Sequence, residues 1–228
     1  MNAPIALARR LAHALWYRRV RASLEREDAC AIHGFDLVIL PGVLHPAHFA
    51  SSRFLADYLL GLDLPGKRVA DLGTGSGLLA LLSARAGARV TAIDISPVAA
   101  RCAAENVRRN GLQDRVNVVA SDQFAEIAEE LRFDLVVTNP PFYARPAVTS
   151  SDRAFAAGAG NEFFGRLAAA LPTRLAEQGV LLMLQSSDAD FAPLANMFAA
   201  QGYAGQVVRE WRGLFETLTI REFRATSA

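Results

Sequence analysis

The chain has 228 residues, enough for one α/β domain with a real core and too few for two comfortable ones. Hydrophobic residues make up 52% of it, so we expect a packed globular fold, and a formal net charge of +1 excludes a global electrostatic attraction to nucleic acid or membranes. Cys30 and Cys102 form no metal-binding or disulfide pattern, and the sequence has neither a signal-peptide layout nor a long uncharged apolar run, so we expect a cytoplasmic protein.

We predict an N-terminal extension at 1–40 and one main domain at 41–228. Within the extension, apolar residues recur at helical spacing over 4–27, which predicts an amphipathic helix whose other faces carry arginines. Two interpretations of these arginines stay open. They form a solvated face, or they form a basic surface that contacts the substrate, with Trp16 and Tyr17 as stacking groups.

Strands and helices alternate along the main domain. The predicted elements, in chain order, are a strand at 35–40, a helix at 46–60, then strand 69–72, helix 78–86, strand 89–95, helix 97–110, strand 116–120, helix 122–131, strand 133–138, helix 161–178, strand 180–185, helix 188–200 and two strands at 206–211 and 216–223. The alternation predicts an α/β fold with a parallel sheet covered by helices on both faces. The last connection is too short for a parallel crossover, so the last two strands are predicted to form an antiparallel hairpin.

A glycine-rich segment lies where the strand at 69–72 meets its helix, and it reads Asp71-Leu72-Gly73-Thr74-Gly75-Ser76-Gly77. Glycines at such a turn let a ligand approach the backbone closely. The spacing departs from the Gly-x-Gly-x-x-Gly of dinucleotide-binding folds, and a carboxylate at Asp71 suits a ligand with an ammonium group better than a pyrophosphate. S-adenosylmethionine carries an ammonium group and no phosphate. We therefore predict that Asp71, Gly73, Thr74, Gly75 and Gly77 bind this cofactor.

Acidic residues also follow the next two strands. Asp94 ends one strand, where a carboxylate can accept hydrogen bonds from both hydroxyls of a ribose. Asp122 follows the other and can receive the adenine amino group, although it can instead serve only as the cap of the helix predicted at 122–131. Together with the neighbouring Ile95 and Ser121, these acids are predicted to complete the cofactor site.

The motif Asn139-Pro140-Pro141-Phe142 follows the strand at 133–138. Methyl transfer from a sulfonium is an in-line displacement, whereas the lone pair of an amide or exocyclic amine nitrogen is delocalised. The Asn139 side-chain oxygen and the Pro140 carbonyl can hold the two N–H bonds and turn the lone pair toward the methyl group, and Phe142 can pack on a flat substrate. We predict Asn139, Pro140 and Phe142 as catalytic residues, and Asn139 also as a residue that binds the cofactor. The alternative is a simple proline turn between a strand and a helix.

At these motifs the chain resembles class I methyltransferases of the small methyltransferase group, from about residue 41 to the C-terminus. The glycine-rich segment matches the family's cofactor loop, Asp94 its ribose-binding acid and the Asn-Pro-Pro-Phe motif its acceptor site. The resemblance implies a Rossmann-like, seven-stranded, mostly parallel sheet with an antiparallel last strand, and S-adenosyl-L-methionine as cofactor.

Two further segments belong to the resemblance, and two features depart from it. The segment 160–166 is similar to a helix start in release-factor glutamine methyltransferases, and 45–52 lies where the family has a lid-like stretch. Bacterial release-factor methyltransferases carry a larger N-terminal domain and usually have Tyr in place of Phe142. A Phe there resembles guanine- and adenine-modifying RNA methyltransferases, which usually have His where this chain has Tyr143.

The acceptor stays open between a protein glutamine, an RNA base and a small-molecule amine, and the basic N-terminal helix slightly favours a macromolecule. An RNA base would have to leave its stack, and the loop at 143–160 would then form the acceptor pocket. We predict that Pro141, Tyr143, His45 and Phe49 bind the substrate. No His, Cys or acid has the spacing of metal ligands, so we predict no metal site.

Two function classes other than methyl transfer are also consistent with this kind of sheet. A nucleotide-linked oxidoreductase is disfavoured by the glycine spacing. A non-catalytic methyltransferase-like scaffold is disfavoured because Asp94 and Asn139 are both present.

Overall fold

The computed structural model of the chain describes residues 20, 23–148, 154–187, 189–213 and 216–226. The helix predicted at 4–27 therefore lies almost wholly outside the described residues, although Val20, Ser23 and Leu24 are helical. The next element is a strand that the sequence analysis did not predict, β1 (Asp28–Ile32), which pairs antiparallel with β2 (Phe35–Ile39).

The main sheet has seven strands, and the predicted fold is confirmed. Its strands are β3 (Arg68–Leu72), β4 (Arg89–Asp94), β5 (Val116–Ala120), β6 (Phe133–Thr138), β7 (Leu175–Ser186), β8 (Tyr203–Arg212) and β9 (Thr217–Ala225). They lie in the order β5-β4-β3-β6-β7-β9-β8, and β9 runs in the direction opposite to the other six strands. The strand order reverses at β3, which is the place where open α/β sheets bind ligands at the carboxyl ends of their strands.

Helices cover both faces of this sheet. The helices are α1 (Ala50–Leu59), α2 (Leu78–Arg85), α3 (Pro97–Arg109), α4 (Glu162–Arg174) and α5 (Ala192–Ala199), and a 3₁₀ turn spans Pro46–His48. Two buried apolar clusters lie on the two faces, the first with side chains of α1, α2 and α3 and the second with side chains of α4 and α5. Successive strand residues such as Val69 and Ala70 belong to different clusters, because strand side chains alternate between faces.

The helix predicted at 122–131 is wrong, because this segment forms consecutive turns. Gln123 has a left-handed φ of +53°. The guanidinium of Arg174 in α4 donates to three carbonyl groups of the segment. Arg174 thus ties the segment to α4, while the carbonyls of Phe124 and Ala128 also accept from the N–H groups three residues later, as in turns.

The other helices predicted in the main domain form, some of them with different ends. The predicted helix 161–178 stops at Arg174, because Leu175 already pairs with Phe133 as the first residue of β7. The helix predicted at 46–60 is divided at Phe49, whose backbone is extended. The helix predicted at 188–200 is shorter, since it begins only at Ala192.

A buried asparagine in α3 joins the β1–β2 hairpin to the main domain. The side-chain oxygen of Asn106 accepts from the Val38 N–H at 2.7 Å, and its amide nitrogen donates to the carbonyls of Val38 at 2.8 Å and Ser76 at 2.9 Å. Asn106 is completely buried. One side chain thus connects the hairpin, α3 and the glycine-rich segment, while the domain boundary at residue 40 stays a prediction.

Substitution of Asn106 by leucine is expected to lower the free energy of unfolding by about 2–4 kcal/mol, because it leaves one N–H and two carbonyl groups buried without that partner. The control is Asn110→Leu, one turn later, where the side chain bonds the backbone of Asp36 at an exposed edge and the Asn106 carbonyl at a part-buried position. We expect about 1 kcal/mol or less there, because water replaces the lost bonds. Urea unfolding measures both values, and equal losses would contradict the role of Asn106.

Candidate functional site

The carboxyl ends of β3, β4, β5 and β6 open into one cleft of about 1830 Å³. Residues from well-separated parts of the chain line it, as expected at the edge of a parallel sheet. Most of the predicted site residues are among them, namely Phe49, Gly73, Thr74, Gly75, Asp94, Ile95, Ser121, Asp122, Asn139, Pro140, Pro141, Phe142 and Tyr143. Three predicted residues, Asp71, Gly77 and His45, are not part of the lining.

The glycine-rich segment forms a tight turn after β3. Gly73 and Gly75 have φ values of +77° and +55°, which favour glycine, and a Cβ added at either would meet no other atom within 4 Å. A ligand can therefore approach the backbone closely at both. Gly77 has a different role, because a Cβ there would come within 3.2 Å of the Ala103 backbone and so separate the start of α2 from α3.

Asp94 connects the end of β4 to the glycine-rich segment. One carboxylate oxygen accepts from the Gly75 N–H at 2.9 Å, and the other accepts from the Ser96 N–H at 2.9 Å. Burial raises the pKa of Asp94, whereas these two bonds lower it. Each oxygen keeps a lone pair for a further donor, so the carboxylate can hold a diol.

Asp71, the first residue of the glycine-rich segment, is completely buried. One of its oxygens accepts from the Thr74 hydroxyl at 2.6 Å and from the Ala80 N–H at 3.0 Å, which holds the turn against the first residues of α2. Within the described part of the chain, its other oxygen has no hydrogen-bond partner. Burial raises the pKa of Asp71 to about 7.

The raised pKa of Asp71 predicts a pH-dependent stability. The unfolded chain loses this proton near pH 3.8 and the folded chain only near pH 7, so the contribution of Asp71 to stability falls as the pH rises through that window. Between pH 4 and pH 7, the unfolding free energy of wild type is expected to fall by more than about 1 kcal/mol relative to that of Asp71→Asn. Above pH 7, the difference between the two proteins is expected to stay constant. Urea unfolding across this range measures the difference. Parallel curves for the two proteins would contradict the assignment.

Asn139 lies directly after β6 and beside the glycine-rich segment. The hydroxyl of Thr138 donates to the Leu72 carbonyl at 2.8 Å and so ties the ends of β6 and β3 together. Asn139 is half-buried, and among the described residues no group forms a hydrogen bond with its side-chain amide. Its amide oxygen is therefore available to a ligand in the cleft.

The loop after this motif is fixed at both ends. The N–H of Tyr143 donates to the Phe155 carbonyl at 2.9 Å, and the Ala157 N–H donates to the Tyr143 carbonyl at 2.8 Å. This pairing brings residues of both ends of the predicted acceptor loop, 143–160, into the cleft lining. Residues 149–153, among them the predicted loop residue Arg153, lie outside the described part.

Asp122 does not cap a helix, since none forms after it. Its carboxylate instead accepts from the guanidinium of Arg166 in α4 at 3.2 Å. The Ser121 hydroxyl oxygen accepts from the Glu126 N–H at 3.0 Å. Arg166 was not predicted as a site residue, although it ends the segment 160–166 that carries part of the family resemblance.

His45 caps the 3₁₀ turn instead of lining the cleft. Its ring is buried, its Nδ1 accepts from the Ala47 N–H at 3.2 Å, and it stacks on His48 with ring centroids 4.1 Å apart. Burial lowers the pKa of His45. His48 is the member of the pair that lines the cleft.

The predicted set also lacks several lining residues. Ser96 and Gln123 directly follow predicted residues and Phe163 belongs to the segment 160–166, whereas Ser186, Trp211 and Glu216 lie far from any motif. Among the described residues, no group of three or more His, Cys, Asp or Glu side chains is arranged to hold a metal ion. None of the helices in the described part of the chain has the length and apolar character needed to cross a membrane.

Comparison with known proteins assigns the chain to a family. The family model described as the methyltransferase small domain matches residues 35–199. The chain is 40% identical to the release factor glutamine methyltransferase of Rhodospirillum rubrum, over 64% of this chain and 48% of that protein. It is 35% identical to the ribosomal RNA small subunit methyltransferase C of Alcanivorax borkumensis, over 67% of this chain and 43% of that protein.

A solved structure with the same fold is a 16S rRNA N2 methyltransferase of T. thermophilus in complex with AdoMet and guanosine. It has a TM-score of 0.61 and 26% identity, and the match covers 89% of this chain and 50% of that one. The chain thus spans less than half of the length of both curated relatives.

Proposed function

We propose that this chain, which belongs to the methyltransferase small domain family, is an S-adenosylmethionine-dependent enzyme that methylates a planar nitrogen of a protein or RNA acceptor. The observation that carries the proposal is the side-chain amide of Asn139, which has no partner among the described residues and lies in the same cleft as Gly73, Gly75 and Asp94. The names of the two curated relatives, a glutamine methyltransferase and a ribosomal RNA methyltransferase, support this acceptor class.

The residues of the cleft fit the proposed cofactor. Asp94 offers both carboxylate oxygens to a ribose, and the open backbone at Gly73 and Gly75 leaves room for a close ligand. The buried carboxyl of Asp71 does not line the cleft but holds the glycine-rich turn through Thr74 and Ala80, so its role toward the ammonium group stays a prediction. When bound, S-adenosylmethionine supplies an electrophilic methyl group.

The residues of the chain itself orient the acceptor nitrogen toward the cofactor. The Asn139 side-chain oxygen and the Pro140 carbonyl accept the two N–H bonds of an amide or amine, so that the nitrogen lone pair turns toward the cofactor side of the cleft. Phe142 packs against the plane of the acceptor. Orientation of this kind is worth up to about 7–11 kcal/mol in ideal cases, so the transfer needs no strong general base.

A macromolecular acceptor is favoured over a small molecule. Protein and ribosomal RNA are the acceptors that the names of the two curated relatives give for those proteins. The cleft has walls from several separate segments and a volume that exceeds the roughly 300–1,000 Å³ of ordinary ligand pockets, which leaves space for an acceptor beside a cofactor. We place the activity in the cytoplasm, since Cys30 and Cys102 are free thiols.

The test is transfer of labelled methyl groups from S-adenosylmethionine to an extract of cells that lack the gene, separated afterwards into protein, RNA and small-molecule fractions. We expect label in the protein or RNA fraction with wild type and with Asn117→Ala, an exposed control in β5, but none with Asn139→Ala. Label confined to small molecules would contradict the macromolecular acceptor. No label in any fraction, despite cofactor binding, would favour a scaffold.

A further inference from the structure

The β8–β9 hairpin contributes residues to the cleft that belong to none of the sequence motifs described above. Trp211, Gly213 and Glu216 from this hairpin line the cleft together with Ser186, the last residue of β7. We call these four residues the hairpin rim. They lie far in sequence from both the glycine-rich segment and Asn139, and the methyl-transfer mechanism proposed above does not use them.

Strand register places the hairpin rim beyond Asn139. Met183 of β7 pairs with Thr138, the residue before Asn139, whereas Ser186 pairs with Leu218, which also pairs with Trp211. Because a strand advances about 3.3 Å per residue, the hairpin rim stands roughly 10 Å past the end of β6. The hairpin rim is therefore offset from Asn139 along the strand direction, on the side of β6 that carries β7, β9 and β8.

The indole of Trp211 is held in place and partly open. It packs against Gly213 so closely that a Cβ at that position would collide with the ring. Even so, Trp211 remains 41% exposed, which is unusual for so large an apolar side chain. Below it, the Ser186 hydroxyl donates to the Glu216 carboxylate at 2.6 Å, and this carboxylate has further lone pairs for other donors.

We propose that the hairpin rim is an acceptor subsite that stacks a heterocyclic base of single-stranded RNA on Trp211 and receives its N–H groups at Glu216. The proposal rests on the methyltransferase function proposed above and adds the acceptor class. A fixed, open aromatic ring suits a flat base, because stacking on aromatic side chains is the common way in which proteins bind unpaired bases. A glutamine side chain has no ring to stack.

Aromatic side chains outside the hairpin rim also face the cleft. The cleft is also lined by Phe142, Tyr143, Phe155 and Phe163. A base that has left its stack therefore finds further aromatic side chains in the cleft, and contact with them offsets part of the cost of unstacking.

The first test measures RNA methylation kinetics with the RNA fraction from cells that lack the gene. We expect Trp211→Ala to raise KM for RNA roughly tenfold with kcat changed much less, and Trp211→Phe to restore most of the affinity, because a phenyl ring still stacks. Val207→Ala, an exposed apolar position in the same strand but outside the cleft, is the control and should leave KM unchanged. Unchanged kinetics for Trp211→Ala in an otherwise active enzyme would overturn the subsite and leave the proposed function standing.

The second test measures binding without chemistry. Short single-stranded RNA oligonucleotides are titrated onto wild type saturated with S-adenosylhomocysteine, so that the cofactor pocket is already filled. We expect binding that weakens roughly tenfold in Trp211→Ala and is restored in Trp211→Phe. If methyl label appears on protein glutamine instead, and Trp211→Ala lowers that activity, the acceptor class is wrong although the hairpin rim binds substrate. If wild type transfers no methyl group to any fraction, the proposed function itself is contradicted, which is a result distinct from failure of the subsite.

Discussion

Asn139→Ala is expected to lower kcat for methyl transfer at least about 100-fold and to change the affinity for S-adenosylhomocysteine less than about threefold. The physical reason is that the Asn139 oxygen is the side-chain acceptor that would hold one N–H bond of the target nitrogen. Its loss leaves the lone pair free to rotate back into conjugation, while Asp94 and the glycine-rich segment still hold the cofactor. Single-turnover kinetics with labelled cofactor separates the chemical step from binding.

The control for Asn139 is Asn117→Ala, which removes the same side chain from an exposed position of β5. Wild-type kinetics are expected there. If Asn139→Ala transferred methyl groups as fast as wild type, the orientation mechanism would be wrong. If the variant lost cofactor affinity in proportion to its rate, Asn139 would be a cofactor ligand and not an acceptor residue.

The second large effect is expected at Asp94, where alanine should weaken binding of S-adenosylhomocysteine about 10- to 100-fold. A hydrogen bond to a charged group contributes about 1.5–3 kcal/mol, and both hydroxyls of a ribose would lose their acceptor. Calorimetric titration measures the affinity directly. Asp114→Ala, an exposed acid in the turn before β5, is the matched control.

Asp94 also accepts from the N–H groups of Gly75 and Ser96, so its loss is expected to affect the turn itself. Thermal unfolding of the free variant therefore accompanies the titration. Weak binding by a protein that unfolds near the wild-type temperature supports the assignment. Wild-type affinity in Asp94→Ala would remove Asp94 from the cofactor site.

The central strands were predictable because buried parallel strands are short apolar runs, as in β3, β4 and β6. The exposed strand β8 was predictable only as the partner of β9 across a short connection. The hairpin strand β1 was not, since Asp28–Ile32 is short and alternates only weakly in polarity. The segment 122–131 has a helical pattern of apolar residues, yet its conformation depends on Arg174, more than forty residues away. Contacts between residues so far apart in sequence do not change the local spacing of apolar residues, so this spacing cannot predict them.

The site was predictable to the extent that its residues follow strand ends. Asp94 and Asn139 do so, and they line the same cleft. Trp211 and Arg166 reach the cleft through strand register and helix placement, which a single sequence does not specify. The burial of Asp71, with one oxygen lacking a partner among the described residues, likewise depends on tertiary packing and not on the motif.

The most direct test of the central proposal is to identify the methylated atom. Labelled product from the wild-type reaction is digested to nucleosides or amino acids and analysed by mass spectrometry. The prediction is a methyl group on a planar nitrogen, either an exocyclic base amine or a glutamine amide, that is absent from the product of Asn139→Ala. A methyl group on a ribose oxygen or a ring carbon would contradict the account, because neither atom presents the two N–H bonds that Asn139 and Pro140 are proposed to hold.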